Sequence, residues 1–137
     1  MRVILDNNII IDALEPRPPY EVQAKELFRR VMMNKIEGYV TANSLTDIFY
    51  GLSKKAGAEK AKTATQNISN LLEVIDVLKS DCKGAFNLPM TDFEDAVVAV
   101  CTKKVGADCI VSRDEKFIKA DSGVKVIKPE ELIRQLK

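Results

Sequence analysis

The chain of 137 residues has no histidine, no tryptophan and only three cysteines. Without imidazole, neither a Ser-His-Asp nor a Cys-His mechanism is available, and no histidine can bind a metal. Three cysteines without a Cys-x-x-Cys pair argue against a disulfide framework and a cysteine-rich zinc site, so we interpret Cys82, Cys101 and Cys109 as packing residues. Any catalysis must therefore use carboxylates, lysines, hydroxyls or a bound ion.

Long apolar runs and a strong net charge are also missing. No run approaches the roughly 18 residues of a membrane span, and Asp6 comes too early for a signal peptide. We therefore expect a cytoplasmic protein with no membrane partner and, from its length, a single domain over residues 1–137. The 21 basic and 20 acidic residues give no evidence of nucleic-acid binding by themselves, although a local basic patch is allowed.

Short apolar segments typical of strands alternate with segments of helical periodicity. The first strand is predicted at residues 3–5 and is followed at once by a turn and a short helix. Further strands are predicted at residues 39–41, 73–77, 109–112 and 124–127, with helices between them. This alternation predicts an α/β fold, a three-layer α/β/α sandwich with a mainly parallel central sheet.

Four aspartates occur at or just beyond predicted boundaries between strand and helix. Right-handed crossovers bring such boundaries to one edge of a parallel sheet, so these side chains are expected to converge. Clustered carboxylates repel each other unless a cation neutralises them, and oxygen ligands suit Mg²⁺ or Mn²⁺. Such an ion can activate water and stabilise charge on a phosphoryl group. The residues concerned are Asp6, Asp47, Asp95 and Asp114.

Helix capping is the competing explanation for each aspartate taken singly, because aspartate favours helix N-termini. Thr91 and Glu94 have the spacing of a capping box ahead of Asp95. We interpret Asp92 as an acid that complements the helix dipole, with a supplementary metal ligand as the alternative. Asp12 lies one turn beyond Asn8, where we expect a solvated face.

Three segments together resemble the PIN-domain ribonucleases, a family that includes the toxins of VapBC-type toxin–antitoxin pairs. They are VILDNNIIID at residues 3–12, DFEDA at 92–96 and IVSRDEKF at 110–117. Their order, spacing and predicted structural context agree with the family over nearly the whole chain. The resemblance implies a PIN-like fold and a Mg²⁺- or Mn²⁺-dependent endoribonuclease in which water is the nucleophile.

The resemblance also implies a role for individual residues. Asp6, Asp95 and Asp114 match metal-binding acids, Asn8 matches an asparagine that shapes the site, and Ser112 falls where the family has a hydroxyl near the metal. Asp47 stands where the family usually has glutamate. Its side chain is one methylene shorter, so we expect a catalytic acid that reaches the metal through water, with weak activity as the alternative.

The implied partners are an RNA substrate, a small antitoxin and a second copy of the chain. The resemblance places the lysine-rich segment after Asp47 beside the RNA groove, and a solvated helix tip is the equally good alternative. The candidate RNA contacts are Lys54, Lys55, Lys60, Lys62 and Arg113. Two other functions stay open: a non-catalytic PIN-like module that binds RNA or protein, and a receiver-type phosphoacceptor domain.

Overall fold

Five short strands form one fully parallel sheet in the computed structural model, which describes residues 1–137. The central strand β1 pairs with a neighbour on each side, Ile4 facing Tyr39 and Ile110. The strands are β1 (Arg2–Leu5), β2 (Glu37–Thr41), β3 (Glu73–Ile75), β4 (Cys109–Val111) and β5 (Val126–Ile127), in the order β3-β2-β1-β4-β5. The chain therefore builds the sheet outward in one direction from β1 and then in the other.

Eight helices cover the two faces of this sheet. They are α1 (Asn7–Leu14), α2 (Glu21–Met32), α3 (Ala42–Ala56), α4 (Ala58–Leu71), α5 (Lys79–Ala85), α6 (Phe93–Lys104), α7 (Glu115–Lys119) and α8 (Pro129–Gln135). None is long and apolar enough to cross a bilayer.

The alternating side chains of β1 divide the hydrophobic core into two halves. Val3 and Leu5 belong to a cluster of 20 buried residues with α1, α2 and α3, whereas Ile4 belongs to a cluster of 10 with α6. This division follows from the period of two along a strand. The predicted three-layer α/β/α sandwich with a parallel sheet is confirmed.

The start of α6 differs from the sequence prediction. The N-cap of α6 is Asp92 and not Thr91, because the Asp92 carboxylate accepts a 3.0 Å hydrogen bond from the Asp95 amide. Aspartate caps helices at least as well as threonine, so the helix begins one residue later than predicted. Helix α3 begins directly after Thr41, whose hydroxyl lies 2.8 Å from that of Ser44.

Candidate active site

The candidate site lies where β1 and β4 end side by side. The connection from β1 leads to β2 on one side, while β4 returns to the other side, so this is the point at which the strand order reverses. Ligands of open α/β sheets bind in the crevice at such a point, outside the carboxyl ends of the strands. The Asp6 amide extends the strand pairing into the crevice by donating to the Val111 carbonyl at 3.0 Å.

Asp6 is held at this point by three hydrogen bonds. One carboxylate oxygen caps α1 by accepting from the Asn7 amide at 2.9 Å. The other accepts from the Ser112 hydroxyl at 2.7 Å and from the Asn8 side-chain amide at 3.3 Å. Burial raises the pKa of Asp6, and the Ser112 hydrogen bond partly opposes that rise. One carboxylate oxygen of Asp6 therefore caps α1 while the other binds Ser112 and Asn8.

Ser112 links the two strand ends through a fully buried hydroxyl. Besides donating to Asp6, its oxygen accepts from the Asn8 side-chain amide at 3.3 Å and from the Asp114 backbone amide at 3.1 Å. The Asn8 carbonyl oxygen Oδ1 is buried and has no hydrogen-bond partner. A buried oxygen left unpaired beside carboxylates is a potential ligand for a cation.

Asp95 and Asp114 face a cleft of about 240 Å³ next to Asp6. The first turn of α6 supplies Asp95, and Asp114 is the N-cap of α7. Burial is the main cause that raises the pKa of Asp95 to about 7, followed by the negative charges of Asp92, Asp6 and Asp114. The cleft is lined by Met90, Thr91, Asp92, Asp95, Asp114, Lys116 and Ala120.

Asp47 lies beside Glu94, a residue that the sequence analysis considered only as a capping partner. A hydrogen bond to Asp47, followed by burial and by the charges of Asp47, Asp92 and Asp95, raises the pKa of Glu94 to about 8. The sequence signal that could have indicated this pair is the position of Glu94, which directly precedes Asp95 on the first turn of α6.

The donor atoms of the site fit a hard divalent cation. In the conformation of the structure, no group of three acidic side chains lies close enough together to hold a metal ion. The donors of Asp6, Asp95, Asp114 and Asn8 are nevertheless all oxygen, the ligand type of Mg²⁺ and Mn²⁺. A cation would also relieve the repulsion that contributes to the raised pKa of Asp95.

Asp12 and Arg113 form an ion pair, which corrects the expectation for Asp12. Asp12 is completely buried instead of lying on a solvated face. The Arg113 Nε and Nη2 atoms lie 2.7 and 3.1 Å from its two carboxylate oxygens, and the guanidinium stacks 4.0 Å from the centre of the Tyr20 ring. Asp12 thus engages the Arg113 guanidinium, and a contact of Arg113 with RNA phosphate stays a prediction.

The four candidate lysines lie on the exposed surface of α3 and α4. Lys54 lies over the Tyr50 ring, 4.3 Å from its centre, and Lys55 forms a 2.7 Å ion pair with Glu15. Lys54 follows Asp47 by seven positions on α3, about 10 Å along the helix axis. Lys60 and Lys62 follow on α4.

Comparison with known proteins gives one consistent family. A family model described as a PIN domain matches residues 2–116. Ribonuclease VapC1 from Aquifex aeolicus (strain VF5) is 28% identical over 135 residues, which cover 95% of this chain and 92% of that protein.

Solved structures of VapBC proteins share the fold. DNA-bound VapBC from Salmonella typhimurium superposes with a TM-score of 0.72 at 16% identity, covering 94% of this chain and 98% of that chain. VapC20 from Mycobacterium tuberculosis, a toxin that cleaves the sarcin-ricin loop, gives a TM-score of 0.68 at 14% identity over 88% and 97% of the respective chains. Since the family model spans most of its length, this chain belongs to the PIN-domain family.

Proposed function

We propose that this chain is a metal-dependent endoribonuclease that hydrolyses RNA phosphodiesters, with water as the nucleophile and Mg²⁺ or Mn²⁺ as the cofactor. The proposal is carried by the position of Asp6 at the end of β1 and of Asp95 and Asp114 on the adjacent cleft, near enough for the charges of Asp6 and Asp114 to raise the pKa of Asp95. Membership of the PIN-domain family and the similarity to a ribonuclease support it. The family assignment also replaces the receiver-type interpretation.

Each residue of the site has a proposed role. Asp6, Asp95 and Asp114 would hold the ion, which when bound lowers the pKa of water and stabilises charge on the phosphoryl oxygens. Ser112 and Asn8 fix the orientation of the Asp6 carboxylate through the hydrogen bonds described above. Asp47 is the remaining catalytic acid and would reach the ion through water. The pKa of its neighbour Glu94, about 8, keeps a proton on that side chain near neutral pH.

The test is cleavage of a mixed set of structured and single-stranded RNAs by the purified protein. We expect cleavage with Mg²⁺ or Mn²⁺, none in EDTA, and a loss of at least about a hundredfold in Asp6→Asn and Asp95→Asn, since both remove a charge from the ion site. Asp121→Asn changes an exposed aspartate that does not line the cleft and serves as the matched control. Failure of the wild type to cleave any RNA would favour the non-catalytic alternative.

We further propose that the chain is the toxin of a toxin–antitoxin pair. Solved relatives are toxin–antitoxin assemblies, including the VapBC proteins of Rickettsia felis and Salmonella typhimurium, each bound to DNA. Expression of the wild type in a bacterial host without an antitoxin should arrest growth, whereas Asp95→Asn should not. Equal growth of the two strains at equal protein levels would contradict the toxin role.

Lys54, Lys55, Lys60 and Lys62 are proposed as contacts to RNA phosphates. Each contact to single-stranded nucleic acid contributes about 0.7 to the slope of log affinity against log salt. Replacing Lys60 and Lys62 with glutamine should therefore lower that slope by about 1.4. An unchanged slope would assign both lysines to an ordinary solvated helix surface.

A further inference from the structure

A second cavity, of about 410 Å³, lies beside the acidic cleft. Arg113 lines this cavity, and Asp114, the next residue, lines the cleft. Both residues follow β4, while Lys128 and Pro129 follow β5, so the cavity opens at the same carboxyl edge of the sheet. Its lining comprises Asp12, Pro19, Tyr20, Gln23, Arg113, Glu115, Lys128, Pro129 and Glu130.

The charges of this cavity are largely paired with each other. Arg113 is bound to Asp12, and Lys128 is bound to Glu115. Glu130, the remaining charged residue of the lining, is an acid. Among the lining residues, a phosphate would therefore find no unpaired cation and would meet an additional carboxylate; Arg17, 4.0 Å from Asp12, lies outside the lining. The lining favours an uncharged ligand over an anion.

Two flat groups and one amide remain as recognition elements. The Tyr20 ring, 46% exposed, and the Arg113 guanidinium are stacked on each other at the wall of the cavity. The Asp12 pair fixes the guanidinium plane, because two of its nitrogens are hydrogen-bonded. Aromatic rings and guanidinium planes are the surfaces on which proteins stack unpaired RNA bases. The half-buried Gln23 adds an amide that can both donate and accept hydrogen bonds.

We propose that this cavity is a subsite for one unpaired nucleobase next to the phosphate that is cleaved. The inference rests on the proposed nuclease function and deepens it, since it names the residues that would bind a base beside the cleaved phosphate. The base extends the stack of Tyr20 and Arg113, and its polar edge meets Gln23. The charged backbone of the same nucleotide is left outside, toward the cleft that holds Asp114.

The first experiment needs no cleavage. The metal-free protein, labelled with ¹⁵N, is titrated with AMP, CMP, GMP and UMP and, as a control, with inorganic phosphate, while the Arg113 Nε and Gln23 side-chain amide resonances are followed by NMR. At least one nucleotide should shift both resonances, and phosphate alone should leave them in place. No shift with any nucleotide, or equal shifts with phosphate, would overturn the base subsite.

The second experiment measures binding of a fluorescent single-stranded RNA in EDTA, where metal-dependent cleavage does not run. Tyr20→Ala and Gln23→Ala should each weaken binding, by about tenfold for Tyr20→Ala because a stacked base is lost. Val22→Ala changes an exposed neighbour outside the cavity and should bind as the wild type does, whereas Tyr20→Phe keeps the stacking ring and should weaken binding less than Tyr20→Ala. Binding unchanged by Tyr20→Ala and Gln23→Ala would reject the proposal.

Failure of this inference is distinguishable from failure of the nuclease proposal. If nucleotides shift the two resonances but the wild type cleaves no RNA, the base subsite stands and the catalytic proposal fails. If RNA is cleaved but neither resonance moves, the nuclease proposal stands and the subsite is rejected.

Discussion

Arg113 binds the completely buried Asp12 through two hydrogen bonds of 2.7 and 3.1 Å, and this pair joins α1 to the segment that follows β4. Asp6 caps the start of α1, and Ser112 and Asp114 flank Arg113 in sequence. The ion pair therefore fastens the two parts of the chain that carry the acidic site. Arg17, 4.0 Å from the same carboxylate, is the nearest alternative cation.

Removal of either partner should destabilise the protein, but unequally. Arg113→Gln leaves a buried carboxylate with only Arg17 nearby, and we expect a loss of about 3 kcal/mol in the free energy of unfolding. Asp12→Asn should cost less, about 1–2 kcal/mol, because the Arg113 side chain is 28% exposed and can be rehydrated. Urea denaturation measures both values.

A surface ion pair provides the control for this comparison. Arg29 binds Glu26 on the exposed side of α2, and Arg29→Gln should change the free energy of unfolding by less than about 1 kcal/mol. Equal effects of Arg29→Gln and Arg113→Gln would contradict a special role for the buried pair.

The Ser112 hydroxyl should matter more for activity than for stability. Ser112→Ala removes the donor to Asp6 and should cost about 1 kcal/mol of stability. Because the Asp6 carboxylate loses its orientation, kcat for RNA cleavage should fall at least about tenfold. Ser122→Ala is the matched control, since this equally buried hydroxyl binds the Val124 backbone. Similar kcat values in the two variants would refute the positioning role.

The fold could be predicted from the sequence because apolar strands and helical periodicity alternate without interruption. The central position of β1, between β2 and β4, follows from right-handed crossovers and from the burial of this strand on both faces. The start of α6 could not be predicted with the same certainty, since Thr91 and Asp92 are both good caps. Only the hydrogen bond that the Asp95 amide donates to the Asp92 carboxylate distinguishes them.

Part of the candidate site could be predicted from the sequence. Asp6 and Asp114 could be assigned to one edge because Asp6 directly follows a buried strand and Asp114 comes a few residues after another. The pairing of Asp12 with Arg113 could not be predicted, since these residues are far apart in sequence. The position of Asp12 on one face of α1 does not indicate which residue of another element it contacts. Glu94 was missed for the same reason: its contact with Asp47 joins α6 to α3.

The stability of the metal-free protein should fall as the pH rises from about 4 to about 7. In this window the folded chain retains a proton on Asp95, whose pKa is raised from 3.8 to about 7, whereas the unfolded chain has released it. Ionising Asp95 in the folded state therefore costs stability, and above about pH 7 its contribution levels off. The free energy of unfolding, measured in EDTA at several pH values, records this fall.

Asp95→Asn removes the titrating group and should therefore reduce the fall in stability by about 2 kcal/mol. This value is smaller than the pKa shift alone would give, because solvent screens part of the interaction. Asp121→Asn, which changes an exposed aspartate outside the cleft lining, should leave the pH profile as it is in the wild type. A profile for Asp95→Asn that matches the wild type would show that Asp95 does not titrate in this range.

Divalent metal should stabilise the folded protein independently of any cleavage. A ligand that binds only the folded state adds about 2.7 kcal/mol at a concentration one hundred times its Kd. For a chain of this length we expect a rise in Tm of roughly 3–5 °C per kcal/mol. Thermal unfolding with increasing Mn²⁺ should show this rise for the wild type and for Asp121→Asn, but not for Asp6→Asn or Asp95→Asn.

Calcium is the control that separates ion size from ion charge. If this larger cation raised Tm as much as Mn²⁺ does, the stabilisation would be a diffuse electrostatic effect. An equal rise in all four proteins would mean that manganese binds elsewhere, and the assignment of Asp6, Asp95 and Asp114 as ligands would then be wrong.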